Sequence, residues 1–277
     1  ISATAQPETQ AVLAKINVAD IEITERSIEH DGVTFRVREF GNGAAVVFLT
    51  GGPGFAGEQF LSTARAQAGE HLAIVPDQRG TGGSTVETYD PTKFTIDQAV
   101  ADLEALRVAL DVERWSLGGH SWGSLLSMAY AAEHPDRVRS LALVSPAGIV
   151  SSFWQSYQGN LMQRVAPESM VTLQTLRPAR QKPNAKGDYY REINKILETD
   201  SIDDPDSHPE TVAALQNEMA EGMNPMVSLS MQPSLMQFDL RPKLAEFSAP
   251  TIIIQGDQAP IGRDTAARIA APIKRAS

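Results

Sequence analysis

At 277 residues, with 42% apolar and 21% charged side chains, the chain is long enough to bury a sizeable core, as one large domain or one domain carrying an insertion. Its net charge of −10 argues against nucleic acid and anionic membrane surfaces as partners, and no apolar run approaches the length that crosses a bilayer. The absence of cysteine rules out disulfides, thiolate metal sites and a cysteine nucleophile.

Residues 1–18 read as a peripheral arm. The start at Ile1 without methionine points to a processed or trimmed chain, and a cleaved export signal would favour a periplasmic or secreted location. Residues 21–29 and 33–40 are strand-like, the second with Val33, Phe35 and Val37 alternating, and His30-Asp31-Gly32 between them reads as a hairpin turn. A second turn at Gly41-Asn42-Gly43 leads into residues 44–49, a continuous apolar run expected of a strand buried on both faces. That run empties into Thr50-Gly51-Gly52-Pro53-Gly54. The next strand, 72–75, ends in Pro76-Asp77-Gln78-Arg79-Gly80-Thr81-Gly82-Gly83-Ser84. Thr95-Ile96-Asp97-Gln98 has the form of a capping box, and Ile96, Val100, Leu103, Leu106 and Leu110 follow at helical spacing.

A short strand at 114–117 then runs through Gly119-His120-Ser121-Trp122-Gly123 into an apolar helix at 125–134. This fits the G-x-S-x-G pattern in the strand-turn-helix setting that gives the pattern meaning. Small residues two positions either side of the serine let strand and helix pass closely, and the helix start offers backbone N–H groups to an anion. Another strand at 138–144 stops at Ser145-Pro146-Ala147-Gly148. Strands alternating with helices predict a mostly parallel sheet with helices on both faces. From 149 to 247 the alternation gives way to helical patches, such as 189–198 and 210–223, and to most of the methionines, a pattern read as an inserted helical cap. The sheet resumes at 251–254, with an exit loop at 255–260 and a helix at 263–273. The expected division is therefore a core in two parts, 1–148 and 248–277, around a cap at 149–247.

Taken together, Gly51-Gly52-Pro53-Gly54, Asp77-Gln78-Arg79-Gly80-Thr81-Gly82-Gly83-Ser84 and Gly119-His120-Ser121-Trp122-Gly123 resemble the α/β-hydrolase fold. Within it they resemble the proline iminopeptidase-like serine peptidases, which release N-terminal residues from short peptides. The resemblance implies that Ser121 attacks a carbonyl carbon through an acyl-enzyme, with the N–H groups of Gly52 and Trp122 as the oxyanion hole. It implies that Asp77 and Arg79 lock the loop after their strand. It also implies cap carboxylates that grip the substrate's free amine, for which Glu192, Glu218 and Glu221 are the candidates. The family usually carries His where Thr50 stands, in a supporting place. No metal constellation and no nucleotide-binding motif appears, so neither metal nor cofactor is expected.

Two departures qualify that resemblance. The family's triad acid lies three residues beyond a glycine in the loop after the 251–254 strand, and counting from Gly256 lands on Ala259; Asp257 is the nearby substitute. The triad histidine belongs after one more strand, and none of His30, His71, His120, His134 and His208 stands there. His120 and His134 read as structural, and His208, in the cap, is the one that could swing over the site. A serine without its base is a poor nucleophile. The chain by itself is therefore expected to be nearly inert, its 251–254 strand a bare edge. The last strand and its histidine would come from a further C-terminal segment or another chain. An esterase or lactonase acting on small apolar esters, and a non-catalytic binding protein on a hydrolase scaffold, are the rival expectations.

Overall fold

The computed structural model describes residues 22–176, 196, 223–256 and 261–277. Among them, eight strands form one sheet: β1 (Ile23–His30), β2 (Val33–Phe40), β3 (Ala44–Leu49), β4 (His71–Pro76), β5 (Thr85–Val86), β6 (Trp115–His120), β7 (Val138–Val144) and β8 (Thr251–Ile254). Their order is β1-β2-β4-β3-β6-β7-β8, with the short β5 paired to β2. β1 and β2 form the expected hairpin, closed by Asp31 and Gly32 at φ 44° and 70°, the left-handed pair that matches the twist of a two-residue turn. β2 lies antiparallel to β4, and from β4 onward every neighbour is parallel, as the alternation of strands and helices predicts.

The helices cover both faces because consecutive residues of the central strands point to opposite sides. Val47, Leu49 and Ile74 join the main core with α2 (Ile96–Ala109) and α3 (Trp122–Glu133). Phe48, Ala73 and Val75 form a second core under α1 (Leu61–Gln67). The N-cap half of the expected capping box is present: Thr95 Oγ1 accepts the Gln98 N–H at 3.1 Å, while Gln98 Nε2 donates forward to Asp102 Oδ1 at 3.0 Å.

Between β7 and β8 the described residues form α4 (Phe153–Arg164), α5 (Pro167–Leu176), α6 (Pro225–Leu235) and α7 (Arg241–Leu244). The patches expected at 189–198 and 210–223 lie outside the described residues, Ile196 and Met223 excepted. The methionines there divide: Met223 and Met231 are buried, whereas Met162 and Met236 are exposed.

Three boundaries differ from the sequence reading. β6 runs on to His120, because Gly118 and Gly119, poor strand formers on propensity, are held by parallel pairing to β3 and β7 on both sides. The last helix, α8 (Arg263–Ala270), stops short of Ile273 because Pro272 has no N–H to continue the ladder. The β8 edge is not bare: Arg275 to Ser277 run parallel beside it, with Thr251 N–H donating to Arg275 O, Ser277 N–H to Thr251 O and Ile253 N–H to Ser277 O at 2.9–3.0 Å. Ile252 and Ile254 on that strand are nonetheless half-exposed.

Candidate active site

β6 and α3 meet at Ser121, whose backbone is bent to φ 51°, ψ −113°. A residue with a Cβ rarely adopts such values, at a cost of about 1–3 kcal/mol, and persists there only when its surroundings over-determine it. Here they do. The Ser121 N–H donates to Val144 O at 3.0 Å, and its carbonyl accepts from Ser124, Leu125 and Ala147 N–H at 3.1–3.2 Å. The two elbow glycines explain the close crossing: a Cβ on Gly119 would stand 2.4 Å from the Gly123 carbonyl, and one on Gly123 only 2.0 Å from Leu49 O. With its main chain committed in this way, Ser121 keeps a half-buried side chain whose Oγ bonds no described residue.

Beside it lies the turn that leaves β3. The Gly51 N–H is taken by Gln59 Oε1 at 3.1 Å. The Gly52 N–H bonds no described acceptor, nor does that of Trp122, the first residue of α3, where N–H groups have no partner within the helix. Gly52 sits at φ 111°, and a Cβ there would lie 2.6 Å from Gly54 N. Thr50, fully buried, donates its hydroxyl proton to Phe55 O at 2.9 Å, closing the turn from below. Two backbone N–H groups that no described residue uses, and the positive end of a 12-residue helix, thus border the elbow.

The loop after β4 is held by ionic bonds. Asp77, with no solvent exposure, accepts from Arg38 Nη2 at 2.8 Å and from Arg36 Nε, Gly57 N and Gly83 N at 2.7 Å. Arg79 forms a two-pronged pair with Asp102, Nε to Oδ2 at 2.8 Å and Nη2 to Oδ1 at 2.6 Å. Both therefore stand where locking the loop requires.

Residues that the sequence reading did not single out complete the surroundings. Gln59 holds the Gly51 peptide, and Gln78 reaches Thr50 and Trp122. Asn224 ties the inserted region to two loops at once: its N–H donates to Gly54 O at 2.9 Å and its Nδ2 to Gly80 O at 2.8 Å, while its Oδ1 caps α6. Asn before Pro at a helix start was a readable cap signal. Neither glutamine carries such a signal: the partners of Gln78 are distant in sequence, and Gln59 meets Gly51 only through the way the intervening turn folds back. An apolar cavity of about 40 Å³, bordered by Phe94, Leu103, Trp122, Leu126, Val227 and Met231, lies beside this cluster.

The candidate bases fall elsewhere. His71 opens β4, at the end of that strand remote from its exit loop. His134 follows the last residue of α3, its ring against Tyr130 at 4.9 Å. His30 lies 3.8 Å from Asp102. His120 is half-buried, and the loss of water around its ring holds the imidazole below the usual range; its Nδ1, out of reach of solvent, faces Gly51 without a described partner. Glu192, His208, Glu218, Glu221, Asp257 and Ala259 lie outside the described residues. Among those described, no group of three or more His, Asp or Glu side chains is placed to hold a metal ion.

A family model described as the alpha/beta hydrolase fold matches residues 44–271. Over 102 residues, 37% of this chain, the sequence is 40% identical to a proline iminopeptidase of Xylella fastidiosa (strain 9a5c), 32% of which is matched. The chain thus spans about a third of the length of the curated relatives it matches. Among solved structures it is similar to a proline iminopeptidase of Mycobacterium smegmatis, with a TM-score of 0.68 and 21% identity over 92% of this chain and 88% of that one. It is also similar to an enol-lactonase of Burkholderia xenovorans LB400, with a TM-score of 0.64 and 19% identity over 91% and 89%. At such identities the two structures speak for the fold alone.

Proposed function

Because the chain belongs to the alpha/beta hydrolase fold family, we propose that it is a serine hydrolase in which Ser121 is the nucleophile and the N–H groups of Gly52 and Trp122 hold the oxyanion. The observation that carries this proposal is the bent backbone of Ser121, flanked by two N–H groups that no described residue uses. Ser121 Oγ adds to a carbonyl carbon and gives up its proton, and the carbonyl oxygen takes the charge. Collapse expels an amine or alcohol that carries that proton away, relayed by water where no histidine holds it, to leave an acyl-enzyme that water then cleaves. One oxyanion donor is worth about 2.7–4 kcal/mol of transition-state stabilisation. That is why a turn whose Gly51 N–H is already committed, leaving Gly52 free, matters to the rate.

The substrate class we propose is the N-terminal residue of a short peptide. It is supported by the 40% identity to a proline iminopeptidase over the segment that matches. The amine grip would fall to Glu192, Glu218 or Glu221. A second reading, small apolar esters or lactones, keeps the same chemistry with an alcohol as leaving group; the apolar cavity beside Trp122 does not decide it, since neither Ser121 nor Gly52 lines it. Ala259 takes the place of the triad acid in either case, and no described histidine takes that of the base. Oxyanion binding and positioning on their own account for ~10³–10⁴-fold over water.

A fluorophosphonate probe tests the proposal. The expected result is slow phosphonylation of the peptide carrying Ser121, little changed in an Ala259→Asp variant, whose carboxylate meets no described histidine to orient, and absent in Ser121→Ala. Labelling that survives Ser121→Ala would sink it, and no labelling in either active-serine form would favour a non-catalytic binding scaffold. Proline and alanine arylamides against short-chain aryl esters then separate peptidase from esterase.

A further inference from the structure

We infer that Gln78 is a positioning residue for the proposed oxyanion hole, using one carboxamide to fix the distance between Trp122 and the Thr50-Gly51-Gly52 turn. What that distance is for rests on the serine-hydrolase proposal; that Gln78 sets it rests on geometry alone. Gln78 leaves β4. Its Oε1 accepts the Trp122 indole N–H at 2.8 Å, and its Nε2 donates to Thr50 O at 3.2 Å and to Thr50 Oγ1 at 3.0 Å. The orientation of the amide has no freedom: the indole N–H can only donate and the Thr50 carbonyl can only accept, so oxygen must face Trp122 and nitrogen must face Thr50. The Thr50 hydroxyl spends its one proton on Phe55 O, and so meets Gln78 as an acceptor.

The sheet alone does not set this separation. β3 and β6 are paired only as far as Leu49 and Gly119, and beyond those residues the two chains part into a turn and an elbow. Gln78 reconnects them one residue past the end of β3 and three past the last pair on β6. Trp122 and Thr50 are both buried, at 1% and 0% exposure, so water cannot replace the bridge. Of the side chains of similar length, Glu lacks the donor, Met lacks both groups and Lys lacks the acceptor. The bridge therefore requires an amide.

The experiment compares Gln78→Met, which removes both groups at similar volume, with Gln78→Glu, Trp122→Phe and the Gln78→Met/Trp122→Phe double variant. In Gln78→Met the maximal rate of Ser121 phosphonylation should fall about tenfold to a hundredfold, as for a misplacement approaching an ångström, with the half-saturating probe concentration within about threefold. Gln78→Glu keeps the acceptor for Trp122 and should lose less. The double variant should be no slower than the slower single, since both remove one bridge. An unchanged rate in Gln78→Met, or losses that simply multiply, would overturn the inference. If the parent takes no label, that failure belongs to the serine-hydrolase proposal, and amide exchange at Gly51 decides the bridge. Its N–H is protected by Gln59, and a turn released from Gln78 should expose it about tenfold faster while the β6 amides keep their rates. No rise at Gly51, or an equal rise throughout the chain, would overturn it.

Discussion

Replacing Gly123 by alanine sets two effects of opposite sign against each other. Gly123 is the second residue of α3, and alanine is favoured over glycine in a helix by about 1 kcal/mol. Against this, the added methyl would stand 2.0 Å from Leu49 O and 2.7 Å from Thr50 O. The first distance is a full ångström inside the 3.0 Å below which real Cβ atoms essentially never approach, and the obstacle is backbone. α3 cannot swing away cheaply, because Leu125, Leu126, Met128 and Ala129 are each at most 2% exposed in the main core. Overpacking of this kind costs about 1–3 kcal/mol, and the upper end applies where neither wall is a flexible side chain. Urea unfolding should therefore show Gly123→Ala destabilised by about 2 kcal/mol net of its helical gain, with Ser121 labelling slowed because β3 and the elbow must part. Gly159→Ala in α4 is the control: a methyl there meets nothing within 4 Å, so it should stabilise by roughly 0.4–1 kcal/mol. If both variants shift the midpoint alike, steric crossing is not what fixes glycine at 123.

Asp77→Ala should cost about 3 kcal/mol, since it leaves the buried Arg38 with Glu58 alone and frees Gly57 and Gly83 N–H together; a midpoint within experimental error of the parent would contradict the locking role. Glu104, hydrogen-bonded by Arg107 and then by Tyr130, is held down to about 2 from its ordinary 4.5. Because the folded form has the lower value, this contribution is complete above about pH 4.5 and disappears as pH falls toward 2. Arg107 is 9% and Glu104 27% exposed at the side chain, so solvent screens the pair only in part. The stability difference between parent and Glu104→Gln should accordingly shrink between pH 5 and 2, and a difference that is constant with pH would refute the assignment.

The frame of the fold was legible because its signals are local. Val33, Phe35 and Val37 announce the alternation of β2, and Thr95 with Gln98 announces the start of α2. The G-x-S-x-G motif likewise marks the bend at Ser121, although only Gly119 answers to atoms inside the motif and its neighbour Ser124, while Gly123 answers to Leu49 and Thr50, where β3 ends. What sequence could not show are contacts between segments far apart in the chain. Gln78 looks like any solvated amide until β3, β4 and β6 lie side by side, and only then do the Thr50 carbonyl and the Trp122 indole come into reach. β6 was read too short for the same reason, since Gly118 and Gly119 are strand residues only by virtue of their two neighbours. The bare edge expected at β8 failed because pairing by Arg275 to Ser277 depends on how α8 returns the chain, which periodicity does not report.

Strand order explains why these particular loops converge. The chain passes from β3 outward to β4 on one side, and the next strand of the parallel block, β6, lies on the other side of β3. That reversal at β3 opens a crevice at the carboxyl ends of the strands, the place where open parallel sheets bind ligands. The turn after β3, the loop after β4 and the elbow after β6 are the three that border it. With neighbouring strands about 4.8 Å apart, β4 and β6 stand roughly 9.6 Å from each other across β3. A glutamine from one and an indole from the other can meet midway only above the end of β3, where Thr50 lies. Moving Gln78 to either outer side of the block would place its amide beyond reach of one partner, so the bridge follows from the topology and not from the local sequence of any one loop.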